Sequence, residues 1–467
     1  YGEPGYSETG KTTVEIQKDS VTYPVGTPVQ VMVKQPKFYY KVLPLKLEKN
    51  DAEEIDSITF TAGASSDGNI TITLNGQSFN IAVANGDTAT AVAGKVRGTT
   101  FAGWTTGGSG AIVTFTRNKK GVCAAPTFSG GTTGVTANVA RIQVGYIGKG
   151  YKLRKARYYV SDTPKVGFKV HPAFVQNGVE REFIYLSAYE GSLYDVSASA
   201  YILDDSWVAD FTVSSGDKLS SIANAKPISG SSQNLTRRNC GILAENRGTG
   251  WYQQYAATAA CTQLLFMIEY ATMNSQTAIG KGVVDKPYVE DSVNYSELTG
   301  ATTNLGNASG MAAGTNGLTS ITYRGEENFW GNVWIFTDGI NVYCDIANSI
   351  HDVYIADNAF AESKNTDNYK NAGITLATRN GYISAMAYSE DYDWLFMPAE
   401  TLGDSALPVG DYFYQSATTN GYKVARLGGT WTHDSHNGAF FWLVNYSPLG
   451  HDRYIGGRLV YVPPVTV

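Results

Sequence analysis

One short stretch near the C-terminus concentrates the side chains able to do chemistry. Residues 430–454 read Thr-Trp-Thr-His-Asp-Ser-His-Asn-Gly-Ala-Phe-Phe-Trp-Leu-Val-Asn-Tyr-Ser-Pro-Leu-Gly-His-Asp-Arg-Tyr, and hold three of the chain's five histidines. His433, Asp434, His436, His451 and Asp452 are the types used for metal ligation and for acid–base work. Two histidines three apart with an Asp between them, outside a helical context, are a poor metal signature, and no metal or other cofactor is predicted. Paired carboxylates occur at Glu326-Glu327, Asp204-Asp205, and Asp391 with Asp393. A polysaccharide depolymerase needs two carboxylates facing each other across a groove, which adjacency in sequence does not supply. Glu326 and Glu327 are read as structural hydrogen-bonding groups. The run Gly145-Tyr146-Ile147-Gly148-Lys149-Gly150 imitates a phosphate loop but lacks the terminal Lys-Ser/Thr and the strand–loop–helix setting. Cys123, Cys240, Cys261 and Cys344 are scattered without a CxxC pair, so they suit neither a zinc site nor a dense disulfide framework, and are read as free buried thiols.

The framework behind these residues is set by composition. The chain has 467 residues, 43% of them hydrophobic, enough for several cores. Charged residues are 17%, against ~25% in an average soluble protein. Lys and Arg number 36 against 42 Asp and Glu, so no basic excess exists to hold a nucleic-acid backbone. Fifty glycines and 31 tyrosines suit a β-rich, loop-rich extracellular or virion protein. Small residues mixed with tyrosine are also how paratopes are built. No run of about 18 apolar residues exists, so membrane insertion by a helix is not expected. The chain opens on Tyr1 without a signal peptide, and a segment upstream of Tyr1 is expected.

Along the chain, residues 1–50 end in the aromatic strand pattern Phe38 to Leu47 and form an N-terminal β segment for virion attachment or oligomerisation, part of a host fold. The acidic linker Asn50 to Glu54 follows, and composition shifts to Thr, Gly and Ala. Residues 51–145 read as a small inserted β-rich domain. In it Asn69 to Leu74 and Phe79 to Val83 alternate about an Asn75-Gly76 hairpin turn, and Asp87-Thr88 caps a short helix through Ala91, Val92 and Val96. The basic-aromatic pattern resumes at Tyr151, so the inserted module interrupts a larger host fold. Residues 146–230 continue that host fold as a connecting β-rich segment, and 231–467 form the C-terminal ligand-binding domain. Two helices are expected there. One is capped by Thr236 and ends at Arg247-Gly248. The other runs from Ala257 to Met273, with Ala260, Leu264, Met267, Ile268 and Ala271 on one face. The fold class is α+β and β-rich, with the small domain inserted near the N-terminus.

Three motifs carry a resemblance. They are Tyr323-Arg324-Gly325-Glu326-Glu327-Asn328-Phe329-Trp330-Gly331-Asn332-Val333-Trp334, then Arg426-Leu427-Gly428-Gly429-Thr430-Trp431, then Arg453-Tyr454-Ile455-Gly456-Gly457-Arg458-Leu459-Val460. In this order they resemble the C-type-lectin-like core shared by formylglycine-generating enzymes and by the variable proteins of diversity-generating retroelements, among them receptor-binding, tail-fibre-type proteins of phages. The spans 151–205 and 232–284 resemble phage receptor-binding proteins, and the insert resembles small virion modules. The resemblance covers most of the chain. It implies a C-terminal C-type-lectin-like fold in which the three motif strands pack together. Trp330, Trp334, Trp431, Trp442, Gly456, Gly457 and Arg458 would be its framework.

The resemblance also implies a ligand face. Diversified relatives carry template asparagines encoded AAY, and mutating those adenines cannot yield Lys, Glu, Gln, Met or Trp. The tract 430–454 has none of the first four, and its two tryptophans fall at framework positions. The positions matching template asparagines are Thr430, Thr432, His433, Asp434, His436, Leu443, Tyr446, Leu449, Gly450, His451, Asp452 and Tyr454. The implied function is a phage virion adhesin, extracellular on a tail or head fibre. Its partners would be a bacterial surface receptor, protein or glycan, and other virion proteins. The implied assembly is a homotrimer, whose repeated sites gain by avidity. The alternatives are an architectural head or tail fibre and a bacterial surface adhesin on the same fold, with a depolymerase last. Oxidase chemistry of the formylglycine-generating kind rests on paired cysteines after the GGxW strand. Thr432, His433, Asp434 and Ser435 stand there instead, so no enzyme activity is expected. The lectin calcium motifs Glu-Pro-Asn and Trp-Asn-Asp are also missing, and no calcium site is predicted.

Overall fold

The computed structural model describes residues 4–18, 20–205, 208–230, 234–288, 295–361 and 368–464. Strand makes up 40% of the described residues and helix 11%, as a β-rich reading requires. The chain divides into two compact units. One is Lys49–Lys149 with Asp345–His351, and the other is the remainder, Tyr1–Glu48, Gly150–Cys344 and Asp352–Val467. The boundaries read from composition stand at 51 and 145.

In the smaller unit the second half of the long strand Tyr39–Ala62 pairs with Ile112–Lys120 on one side and Thr136–Gln143 on the other, so that Ile58 lies opposite both Val113 and Val139. Alternate residues turn inward, and Ile58 and Phe60 join Ile70, Ile72, Leu74, Val113 and Phe115 in one core. Strands Gly68–Leu74 and Gln77–Val83 pair antiparallel with Leu74 opposite Gln77. Asn75 and Gly76 between them have φ of 47° and 78°, the doubly left-handed turn whose twist suits a two-residue hairpin. Helix α1 (Ala89–Arg97) starts where Thr88 accepts a hydrogen bond from the Ala91 amide and buries Val92, Ala93 and Val96. Two inward carboxylates also sit here. Glu54 takes Arg141 at 2.5 Å and the Gly145 amide at 2.7 Å. Burial, and then the charge of Glu54, push Asp56 up to about 7. Residues Tyr146 to Gly150 are extended strand, the start of Tyr146–Ser161, so the glycine-lysine run makes no phosphate loop.

In the larger unit helix α2 (Arg237–Glu245) is capped by Thr236, which accepts from the Asn239 amide, and it ends at Asn246, two residues before the expected Gly248. Helix α3 (Ala256–Tyr270) also ends early, because Ala271 turns left-handed at φ 52°. A single apolar face was expected of α3. Instead every residue from Ala256 to Met267 is buried, so the helix is wrapped on all sides, as its apolar composition allows. A short helix, α4 (Ser275–Ala278), follows, capped by Asn274.

The three motifs meet in one sheet. Strand Trp334–Asp345 runs antiparallel to Gly421–Leu427, with Ile335 opposite Leu427, and parallel to Ile455–Gly456, with Trp334 opposite Ile455. Gly421–Leu427 then pairs with Trp442–Leu443, which pairs in parallel with Tyr412–Tyr414, and that with Gly381–Tyr382. The last motif is shared between sheets. Leu459–Tyr461 leaves for a four-stranded sheet with Trp251–Gln253, Phe183–Ser187 and the edge strand Met32–Pro36. Arg458 at the crossing is buried and donates to the carbonyls of Glu327 and Ser187. Trp330, Trp334, Trp431 and Trp442 are each 0–1% exposed. All four cysteines are buried and free.

Candidate functional site

A polar network fixes the floor beneath the tract. Glu327 accepts from the Gly300 amide, the Thr302 amide and the Thr302 hydroxyl, each at 2.7 Å. Glu326 accepts from Thr262 of α3 at 2.7 Å. Both are buried hydrogen-bonding groups, and burial pushes Glu326 up to about 7. Glu190 binds the side-chain amides of Asn332 at 2.6 Å and Asn328 at 3.1 Å through one oxygen, while its other oxygen has no partner. Burial raises Glu190 to about 8.

Two glycines then aim the tract. Gly428 and Gly429 have φ of 96° and 90°, where a side chain is strained. A Cβ on Gly429 would also lie 1.7 Å from the Asn437 side-chain oxygen. The chain emerging from them is tied down at once. The Trp431 amide and the Thr430 hydroxyl both donate to the Asn332 carbonyl, at 3.1 and 3.2 Å.

Twelve positions of this tract stand as ligand candidates, and they fall in three groups. Thr430 and Leu443 are buried, at 0% and 7% exposure, and present no surface; they belong to the floor, Thr430 through its bond to Asn332 and Leu443 through its place in the strand core. Thr432, His433, His436, Tyr446, Gly450, Asp452 and Tyr454 are half-buried. Asp434, Leu449 and His451 are exposed, Leu449 to 69%.

The half-buried and exposed side chains form two clusters. In the first, the turn Asp434–His436 sets His436 face to face with Tyr412, ring centres 4.1 Å apart, and edge-on to Tyr382 at 5.6 Å. The Tyr382 and Ser435 hydroxyls bond at 2.8 Å, and Asp434 pairs with Lys281 at 3.2 Å. In the second, Tyr446 lies on the guanidinium of Arg426, 3.6 Å from ring centre to Cζ. Tyr454 stands edge-on to Trp431, and the Gly230 amide donates to the Asp452 carbonyl at 2.8 Å, with the His451 ring 3.3 Å from the Gly230 carbonyl. Trp334 links the clusters, 5.7 Å from the His433 ring and 5.8 Å from the Arg426 guanidinium.

Burial, with His436 and Arg426 adding to it, pushes His433 down to about 4. Burial also lowers His436 against the opposing pull of Asp434. Lys281 holds the Asp434 carboxyl below its ordinary value. Of the other paired carboxylates, Asp393 is taken by the Tyr40 hydroxyl at 2.6 Å and by Lys169 at 2.9 Å. Among the described residues no group of three His, Cys, Asp or Glu could hold a metal ion.

Sequence reasoning missed four participants: Tyr382, Tyr412, Lys281 and Arg426. The first three lie far from the tract and arrive through sheet pairing and the loop after α4. Arg426 stands in a quoted motif but carried no signal of its role.

No family model matches the chain, and no curated protein matches it. Among solved structures, the Major Tropism Determinant I1 variant and U1 variant each align over 97% of this chain and 80% of their own, with 12% identity and a TM-score of 0.25. A likeness of that size is too slight to assign a fold.

Proposed function

We propose that the protein is a virion adhesin, which binds a bacterial surface receptor through the face formed by residues 432–436 and 446–454. The observation that carries this reading is the division of labour within the tract. Trp431, Trp442 and the Gly428-Gly429 bend are locked in the core, while Asp434, Leu449 and His451 project outward among half-buried Tyr, His and Asp side chains. Tyrosine and histidine offer rigid amphipathic area at small entropic cost, and Asp and Thr offer adaptable hydrogen bonds. The framework follows the motif pattern of C-type-lectin-like variable proteins, and the reading extends to that fold for 231–467 and to a homotrimer in which weak sites act together.

The test uses positions whose loss leaves the floor intact. Changing Asp434, Leu449 and His451 together to Ala should reduce adsorption to host cells by about tenfold or more, on the scale of losing interface anchors. The melting temperature should fall by only a few degrees, since none of the three is buried and what is lost is the exposed Asp434–Lys281 pair and a residue tolerant of the left-handed φ of 43° at position 434. Full adsorption by that variant would overturn the reading and leave an architectural fibre on the same framework.

A further inference from the structure

Arg426 is wholly buried and makes no direct ion pair among the described residues; the carboxylate of Asp452 acts on it only at longer range, and Tyr446 is its side-chain neighbour. Its Nη2 donates to the Asn445 side chain at 3.3 Å, while its Nε and Nη1 have no partner at all. Two neighbours share this condition. The Trp334 indole Nε1 and the His433 Nδ1 are also buried without a hydrogen bond. The guanidinium and the imidazole flank the same indole, at 5.8 and 5.7 Å. Buried polar groups are normally satisfied, and a buried cation without a directly paired counter-charge is costly. Here four nitrogens without a hydrogen-bond partner collect round one tryptophan, three of them donors and the fourth, His433 Nδ1, a donor or an acceptor according to its tautomer. What covers the guanidinium is the ring of Tyr446, a half-buried side chain on the proposed face.

We propose that this cluster is a receptacle for a carboxylate of the ligand, with Arg426 as its anchor and Tyr446 as a movable cover. It rests on the adhesin reading and names the chemistry that the face recognises. The planar guanidinium has one open donor on each of its two edges, Nε on one and Nη1 on the other, and either edge grips a carboxylate with Nη2 as its second donor once the long 3.3 Å bond to Asn445 gives way. Trp334 and the Nδ1–H tautomer of His433 add neutral donors, and Tyr446 swings off the fork by side-chain rotation. A carboxylate reaches this site from an acidic sugar or from an acidic peptide side chain.

The experiment is thermal melting of the full chain in sodium acetate, D-glucuronate or N-acetylglutamate, each against sodium chloride at matched ionic strength. At a tenfold excess over Kd the bound carboxylate should raise Tm by about 1–3 °C. Arg426→Met should abolish that rise, and Arg426→Lys, which keeps the charge but not the fork, should weaken it. A larger shift with glucuronate than with N-acetylglutamate assigns the sugar as the source, and the reverse order assigns the peptide. No carboxylate-specific shift in the wild-type chain, or the same shift in Arg426→Met, overturns the receptacle. Because that readout involves no host cell, the receptacle can fail while the Asp434, Leu449 and His451 variant still loses adsorption, and the two claims are judged separately.

Discussion

Glu190 is a buried carboxylate with two amide donors on one oxygen and none on the other. Its pKa, raised by burial to about 8, and that of Glu326, raised to about 7, mean that the folded state holds these protons more tightly than the unfolded chain. Their stabilising contribution is complete below the ordinary carboxylate range and is lost as pH rises through 7 and 8. His433, lowered to about 4, acts in the other sense and loses stability as pH falls from about 6.5 toward 4. Above pH 6.5 only the carboxylate effect remains. Urea melts should therefore show stability falling between pH 6.5 and 8, and Glu190→Gln should flatten that slope by fixing the neutral form. An unchanged slope in the variant would place the titration elsewhere.

At the scale of elements, two local devices carry measurable weight. Thr88→Ala removes the α1 cap and should cost about 1 kcal/mol in the smaller unit, read by denaturant melting. Gly429→Ala puts a Cβ on the Asn437 oxygen at a left-handed backbone position, and should cost about 2–4 kcal/mol or prevent folding of the tract. These same elements mark what sequence could tell. Thr88, Thr236 and Asn75-Gly76 act within a few residues of themselves, so their helices and hairpin were legible from local chemistry. The pairing of the three motif strands was legible only through resemblance, because their partners lie about a hundred residues apart. Inside the tract the burial of Trp431 and Trp442 was legible as framework, but that of Thr430 and Leu443 was not. The paired strand there is two residues long, too short for alternation to show a period, and Thr430 and Leu443 face inward because Asn332 and the strand core hold them. The helix α3 lost its expected single face for the same reason, since what surrounds it comes from distant parts of the chain.

At the scale of the whole molecule, the main segment of the smaller unit, Lys49–Lys149, begins and ends at one place. The Asn50 side chain donates to the Lys149 carbonyl at 3.3 Å and accepts from the Tyr146 hydroxyl at 3.1 Å. A segment whose ends already touch can be replaced by a short link without stretching the chain around it. Replacing 51–145 with a Gly-Ser linker should leave a cooperative melt for the remainder, with host adsorption retained if the C-terminal face is the binding element. A chain that no longer folds after this excision would mean that the insert is part of the host core.

The four thiols have a practical consequence. All are buried, and burial raises each of them, Cys123 and Cys344 to about 11. Thiolate is the reactive form, so the native chain is chemically silent toward maleimides at neutral pH. A single cysteine introduced at the exposed Leu449 would then be the one position to take a fluorophore. Labelling of Leu449→Cys at one dye per chain, with none on the wild-type protein, would make the tract a light-emitting marker of which way the molecule points on any surface that holds it.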